Sequence, residues 1–138
     1  MRPDCECSRL VHTPKRIALT GGPGAGKTAV LEVVRQSFCR HVVVLPEAAS
    51  ILFQGGFPRH DTAAGRAGAQ RAIYRVQAEL ERIAVEEQQA AIVLCDRGTV
   101  DGLAYCPPPP EAFWAEVGTT HAAELARYVA VIHLRQPG

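Results

Sequence analysis

Four short runs of apolar residues occur along the chain, and longer segments with helical periodicity separate them. The runs cover residues 16–20, 42–45, 90–95 and 128–134, and they are largely apolar throughout rather than alternating. Such runs are typical of strands buried on both faces of a parallel sheet. Helices are predicted at 26–38, 48–54, 62–89, 100–105, 111–117 and 121–127. This alternation predicts an α/β fold, a three-layer αβα sandwich around a parallel sheet of four strands.

The longest predicted helix, 62–89, carries its apolar and charged residues on opposite faces. The apolar stripe steps by three and four residues through Ala69, Ile73, Val76, Leu80 and Ile83. The opposite face carries the charged residues Arg71, Arg75, Glu79, Arg82 and Glu86. We expect the stripe to pack on the protein core and the charged face to be solvated. A coiled-coil partner helix is the less favoured alternative.

The first strand leads into a glycine-rich loop and then directly into a helix. Residues 21–28 read Gly-Gly-Pro-Gly-Ala-Gly-Lys-Thr, which fits the pattern G-x-x-x-x-G-K-[ST] of a phosphate-binding loop. Glycines let the backbone N–H groups surround an anion, and the helix N-terminus adds its positive dipole end. The predicted nucleotide-binding residues are Gly21, Gly22, Pro23, Gly24, Ala25, Gly26, Lys27, Thr28 and Ala29. Among them, Lys27 is expected to contact the β- and γ-phosphates, and the Thr28 hydroxyl to bind Mg²⁺.

Charged residues follow the later strands, namely Glu47, Asp96 with Arg97, and Arg135. Because ligands of open α/β sheets bind at the carboxyl ends of the strands, we expect these residues to converge on one crevice beside the loop. Asp96 is the predicted second Mg²⁺ residue, since Mg²⁺ prefers oxygen ligands and the preceding strand has the form of a Walker-B strand. The alternative is that Asp96 caps a helix or pairs with an arginine.

Three further side chains have open alternatives. Glu47 either accepts the proton or a hydrogen bond of a substrate hydroxyl, or stabilises the first turn of the following helix. Arg97 either binds phosphate oxygens or pairs with Asp96 or Asp101. Asp101 and Tyr105 lie one helical turn apart and either line the pocket or pack against it. The predicted catalytic set is therefore Lys27, Glu47, Asp96 and Arg97.

Composition narrows the functional class only slightly. A chain of 138 residues with a net charge of +1 indicates one domain, with no electrostatic preference for nucleic acid or membranes. There is no apolar stretch long enough for a transmembrane helix, and the N-terminus lacks the apolar core of a signal peptide, so we expect a cytoplasmic protein. Residues 1–14 are predicted to be a disordered tail, and residues 15–138 to be the P-loop NTPase domain.

The cysteines and histidines give no metal prediction at this stage. The chain has five of each, and the pair Cys5-x-Cys7 lies in the polar tail. This pair lacks the two-residue spacing and the second ligand pair of common zinc sites. Cys39 and Cys95 are expected to be buried as small apolar residues.

Several segments together resemble a known group. The loop at 21–28, Pro46-Glu47-Ala48-Ala49, residues 96–105 (Asp-Arg-Gly-Thr-Val-Asp-Gly-Leu-Ala-Tyr) and His133-Leu134-Arg135 resemble the bacterial AAA-domain ATP-binding proteins. Those proteins are similar to nicotinamide-riboside kinases and, more distantly, to deoxynucleoside and thymidylate kinases. The resemblance implies ATP and Mg²⁺ at the loop, Glu47 facing the acceptor substrate, and Asp96 with Arg97 serving Mg²⁺ and phosphate.

The resemblance also has a departure. In the related kinases the chain continues past the fourth strand into an arginine-bearing lid, a fifth strand and an adenine-binding loop, whereas this sequence ends at Gly138. We therefore expect a C-terminally truncated domain, with four strands instead of five and weak turnover. Two functions follow from the sequence: a phosphotransferase that acts on a small hydroxyl-bearing acceptor such as a nucleoside or nucleotide, or a nucleotide-dependent switch with slow or no hydrolysis.

Overall fold

The computed structural model describes residue 5 and residues 13–22, 26–106 and 109–135. Its strands are β1 (Lys15–Gly21), β2 (Val42–Leu45), β3 (Ile92–Asp96) and β4 (Tyr128–Leu134). Its α-helices are α1 (Lys27–Ser37), α2 (Ala48–Gln54), α3 (Ala63–Glu86), α4 (Pro110–Val117) and α5 (His121–Leu125), with a 3₁₀ helix at Asp101–Tyr105. Apart from Cys5 and residues 13–14, the predicted tail at 1–14 lies outside the described residues.

All four strands are parallel, and they are ordered β2-β3-β1-β4 across the sheet. Alternate residues of β3 point to opposite faces, so Val93 and Cys95 pack on the side of α3, while Leu94 packs with Leu31 of α1. Helices thus cover both faces of the sheet, which confirms the predicted αβα sandwich. Burial raises the pKa of the Cys95 thiol far above its usual range, as befits a cysteine that acts as an apolar core residue.

Residues 128–134 form the predicted strand, but the prediction that this strand is buried was wrong. β4 lies at the edge of the sheet and pairs only with β1. Its middle residues are exposed, with Val129 at 61% and Val131 at 60% of their maximal surface. A run of apolar residues indicates a strand, but burial depends on a neighbour or a covering helix, and the described part of the chain places neither on this edge.

The buried face of α3 also differs from the predicted stripe. Ile83 is exposed, and the residues that α3 buries are Ala69, Tyr74, Gln77, Glu81 and Ala84. The face is rotated because Glu81 turns inward to Arg16 of β1, to Arg127 and to Tyr128 of β4, and Gln77 donates to the same carboxylate. Their burial therefore follows from hydrogen bonds and ion pairs rather than from hydrophobicity.

Candidate functional site

The phosphate loop leaves β1 at Gly21 and enters α1 at Lys27. Gly26 occupies the N-cap of α1 with φ of 91°, a left-handed conformation that favours glycine. It has no side chain to cap the helix, and the first turn of α1 contains no acidic residue. The N-terminal N–H groups of α1 are therefore left for an anion. Pro23, Gly24 and Ala25 lie outside the described residues.

The remaining loop residues border open space. A Cβ at Gly22 or Gly26 would meet nothing within 4 Å, so a ligand can approach the backbone closely at both positions. Thr28 and Ala29 are exposed on the first turn of α1. This arrangement fits a polyphosphate over the helix N-terminus, with the Thr28 hydroxyl available to a magnesium ion.

Lys27 and Asp96 lie side by side. Leu19 of β1 is in register with Asp96 at the end of β3, so the loop after β1 begins beside this carboxylate. Lys27 Nζ donates to Asp96 Oδ1 over 2.7 Å. The partner of Asp96 is therefore the loop lysine, whereas the sequence alternatives were a helix cap or an arginine.

Glu47, at the end of β2, completes the group on the other side of Lys27. Its Oε2 lies 3.6 Å from Lys27 Nζ and accepts from Arg97 Nε over 3.3 Å, while Oε1 accepts from Ser50 Oγ. Glu47 occupies the N-cap position of α2, but its side chain makes no capping hydrogen bond. Its carboxylate is thus directed into the crevice.

Arg97 follows β3 with an unusual backbone conformation. Its φ of 70° is uncommon for a residue other than glycine, and its N–H donates to the Leu19 carbonyl. The guanidinium donates to the Gly21 carbonyl over 3.1 Å as well as to Glu47. Its partners are therefore not Asp96 or Asp101. The backbone strain is balanced by contacts that direct this cation to the start of the phosphate loop.

Asp101 supports the turn that follows Arg97. Its Oδ2 accepts from the Gly98 N–H over 2.6 Å. Burial raises the pKa of Asp101 above its usual value, although the Gly98 N–H and the Arg97 guanidinium act in the opposite direction.

Tyr105 lies in the same 3₁₀ helix as Asp101. Arg135 follows β4 at an exposed position and does not line the cavity described next.

A cavity of about 580 Å³ is lined in part by Glu47, Asp96 and Arg97, and the described residues of the phosphate loop are not among its lining residues. Helices α2 and α3 and the segment after β3 form its walls. Its lining combines aromatic and aliphatic side chains with amides and cations: Phe53, Ile73, Tyr74, Phe113, Gln70, Gln77, Arg59, His60 and Arg66. A cavity of this size and mixed polarity suits a small organic molecule.

The sequence reasoning missed the residues of α3 that line this cavity. Arg66, Gln70, Ile73 and Gln77 recur at helical spacing and so share one face. That spacing could have indicated a shared face of the helix, but the face overlaps the predicted apolar stripe. The neighbouring sequence does not show that this face turns towards the carboxyl ends of the strands. Arg59 was missed because it lies in a loop. Its guanidinium carbon is 4.1 Å from the centre of the Phe53 ring.

Comparison with known proteins identifies a family. Residues 16–137 match the family model described as AAA domain. None of the curated proteins matches the chain significantly. Within the described residues, no helix is both long and apolar enough to cross a membrane.

Proposed function

Because the chain belongs to the AAA-domain family of nucleotide-binding P-loop proteins, we propose that it transfers the γ-phosphoryl group of Mg·ATP to a small hydroxyl-bearing acceptor. The acceptor would be of nucleoside or nucleotide type. The observation that carries the proposal is a cavity that Glu47, Asp96 and Arg97 line and that the described residues of the phosphate loop do not. A protein that only bound nucleotide would need the phosphate loop but not this cavity.

Lys27, Thr28 and Asp96 would serve the nucleotide. Lys27 and Asp96 form an ion pair, and their side chains are 13% and 19% exposed. Neither side chain is therefore fully buried in the core. The lysine ammonium would move from Asp96 to the β- and γ-phosphates, as a compact and mobile point charge can. Mg²⁺, when bound by Thr28 and Asp96, would neutralise charge that develops on the phosphate oxygens.

Glu47 would receive the acceptor hydroxyl. It lies between Lys27 and the cavity, and its two carboxylate oxygens accept from Arg97 and Ser50. Attack of the hydroxyl oxygen on the γ-phosphorus forms one P–O bond, the bond to the β-phosphate oxygen breaks, and ADP leaves. The hydroxyl proton passes to Glu47, while Arg97 stabilises the charge on the phosphoryl oxygens.

The cavity suits an acceptor that has a planar ring and an anionic group. Phe53, Tyr74 and Phe113 offer aromatic surface, and the amides of Gln70 and Gln77 can pair with the edge of a base. Arg59, placed over the Phe53 ring, provides a cation at the wall. This combination favours a phosphate-bearing or carboxylate-bearing acceptor over a neutral sugar.

The test measures ADP release from one preparation, first without an acceptor and then with a panel of nucleosides, nucleotides and ribosides. We expect at least one compound to raise turnover well above the intrinsic rate. Glu47→Gln should remove most of this stimulation, by about a hundredfold or more, while Mg·ATP still binds. Glu116→Gln, at an exposed position on α4, is the matched control. If no compound stimulates turnover although Mg·ATP binds, the phosphotransferase proposal is wrong.

A nucleotide-dependent switch is the second candidate, and the ion pairs of Lys27 favour it. Lys27 joins carboxylates that follow β2 and β3, so its transfer to a phosphate would release Glu47 and Asp96 together. Both border the cavity, and Glu47 directly precedes α2. Under this reading, Mg·ATP would change proteolytic or hydrogen-exchange protection of α2, and no acceptor would stimulate turnover.

A further inference from the structure

Three side chains with metal-binding atoms meet at the amino end of β2, far from the crevice. The Cys5 thiol lies 3.2 Å from His41 Nδ1, and the Cys39 thiol lies 3.7 Å from the same atom. All three ligand atoms are within 4.8 Å of one another. They come from the N-terminal segment and from the connection between α1 and β2, so chain folding, and not one local turn, brings them together.

We propose that Cys5, Cys39 and His41 bind a zinc ion. Zinc bonds of about 2.3 Å to sulfur and 2.0–2.1 Å to nitrogen in a tetrahedron require sulfur–nitrogen separations of about 3.5 Å. The two observed distances, 3.2 and 3.7 Å, lie on either side of that value. Two thiolates and an imidazole are also the ligand types that select zinc over hard cations such as Mg²⁺.

The sequence contains two pairs of ligand residues with the same spacing, Cys5-x-Cys7 and Cys39-x-His41. The first pair alone gave no metal prediction because a second pair was missing, and the fold supplies it. Cys7 lies outside the described residues.

A metal ion would bring the three ligand atoms to one centre. A histidine ring nitrogen offers either one proton or one lone pair, so Nδ1 can serve only one of the two thiols well. Bound zinc removes the competition, because it takes both sulfurs as thiolates and the ring nitrogen as a neutral donor. His41 is 1% exposed, which would hold its ring in a fixed orientation towards the metal.

The position of the cluster implies a structural role. The His41 carbonyl accepts from the N–H groups of Ala91 and Ile92, so His41 also joins the starts of β2 and β3. The four residues of β2 separate the cluster from Glu47 by about 13 Å of strand. Zinc here would fasten the N-terminal segment to the base of the sheet and would take no part in phosphoryl transfer.

The experiment uses the untagged full chain, purified with a phosphine reductant and without chelator, and measures zinc by mass spectrometry. We expect about one zinc per chain in the wild type and almost none in Cys5→Ser or Cys39→Ser. The matched control is Cys106→Ser, because Cys106 is a cysteine that lies beside the 3₁₀ helix. This variant should retain the metal. Circular dichroism checks that each variant is folded.

Two further measurements separate this site from others. Cobalt in place of zinc should give thiolate-to-metal charge-transfer absorption that Cys39→Ser loses. A chelator should lower the melting temperature of the wild type and leave that of Cys39→Ser unchanged, while the Kd for Mg·ATP stays within about twofold in all variants.

Three results would overturn the proposal: a wild type without zinc, equal zinc in Cys39→Ser and the wild type, or a Cys5–Cys39 disulfide in the protein as isolated.

Discussion

Two clusters of charged side chains flank the turn after β3, and they differ in how completely their members are paired. In the crevice cluster (Lys27, Glu47, Asp96 and Arg97), the side chains are 13–33% exposed, and Lys27 has one close carboxylate and one at 3.6 Å. In the buried cluster around Glu81, that side chain is 0% exposed. The first cluster can exchange partners when a ligand arrives, whereas the second has no room to do so.

The buried cluster satisfies every oxygen of Glu81. Oε1 meets Arg127 at 2.7 Å and Arg16 at 3.2 Å, and Oε2 accepts from Gln77 and Tyr128. Burial, together with the Glu81 carboxylate, raises the pKa of Tyr128 far above its usual range, so its hydroxyl remains a donor. The same hydroxyl accepts from the Thr99 N–H, which connects the cluster to the turn after Arg97. Under the proposed function, the crevice cluster would serve the nucleotide and the acceptor, whereas the buried cluster supports the fold beneath it.

Glu81→Ala should have the largest effect of the substitutions that test this comparison. Removing the carboxylate leaves Arg16 and Arg127 without their buried partner, which typically costs about 3–5 kcal/mol of the free energy of unfolding. Urea denaturation measures the loss, and Glu79→Ala, on the exposed face of the same helix, is the control. If Glu81→Ala fails to fold, Glu81→Gln keeps the shape and should show a smaller loss. A loss below about 1 kcal/mol in both would contradict the comparison.

Lys27→Ala should show the reverse pattern, with binding impaired and stability maintained. Charge-assisted hydrogen bonds to phosphate are worth about 1.5–3 kcal/mol, so we expect Mg·ATP affinity to fall by about 10- to 100-fold. The free energy of unfolding should change by less than about 1 kcal/mol, because the lysine lies at a partly exposed site. Titration calorimetry measures the affinity, and Lys15→Ala, at the exposed start of β1, is the control. Unchanged affinity would show that the loop is not the nucleotide site.

The crevice cluster was largely predictable from the sequence, and the buried one was not. Asp96 directly follows one apolar run, Glu47 follows another after a single proline, and parallel strands bring such positions to one edge. Glu81 forms part of a helical series with Tyr74, Gln77 and Ala84, but hydrophobicity cannot reveal a polar residue that is buried. Its partners Arg127 and Tyr128 lie far along the chain, so their contact becomes visible only in the folded structure.

The edge position of β4 and the cluster of Cys5, Cys39 and His41 were missed for related reasons. The residues of β4 are as apolar as those of β3, and only strand order distinguishes an edge from a centre. The ligand pair Cys39-x-His41 has no local meaning until Cys5 lies beside it. Composition and periodicity report on neighbours along the chain, whereas both of these features depend on distant ones.

Tyr128→Phe should weaken the link between the two clusters at moderate cost. It removes the hydroxyl that donates to Glu81 over 2.6 Å and accepts from Thr99 N–H over 2.8 Å. Two buried polar groups lose a partner, so we expect about 1–3 kcal/mol of lost stability. Urea unfolding tests this, with Val129→Ala at the exposed next position as control. Mg·ATP affinity should fall less than in Lys27→Ala. An equal loss of affinity would show that the clusters act as one unit.

Asp101→Asn should have the smallest effect, and it depends on pH. Burial raises the pKa of Asp101 in the folded protein above the unfolded value of about 3.9, so ionisation opposes folding. The contribution of the carboxyl group to stability is full below the unfolded pKa and is lost as pH rises through the folded pKa. Asparagine does not titrate, and its amide oxygen can still accept from Gly98. The variant should therefore gain stability relative to the wild type between about pH 4 and neutrality.

Urea unfolding across that range, without nucleotide or Mg²⁺, measures the difference, and Asp61→Asn at an exposed position is the matched control. A difference that moves against the variant as pH rises would show that the Gly98 N–H and the Arg97 guanidinium, rather than burial, dominate this carboxylate, and Asp101 would then belong with the crevice cluster.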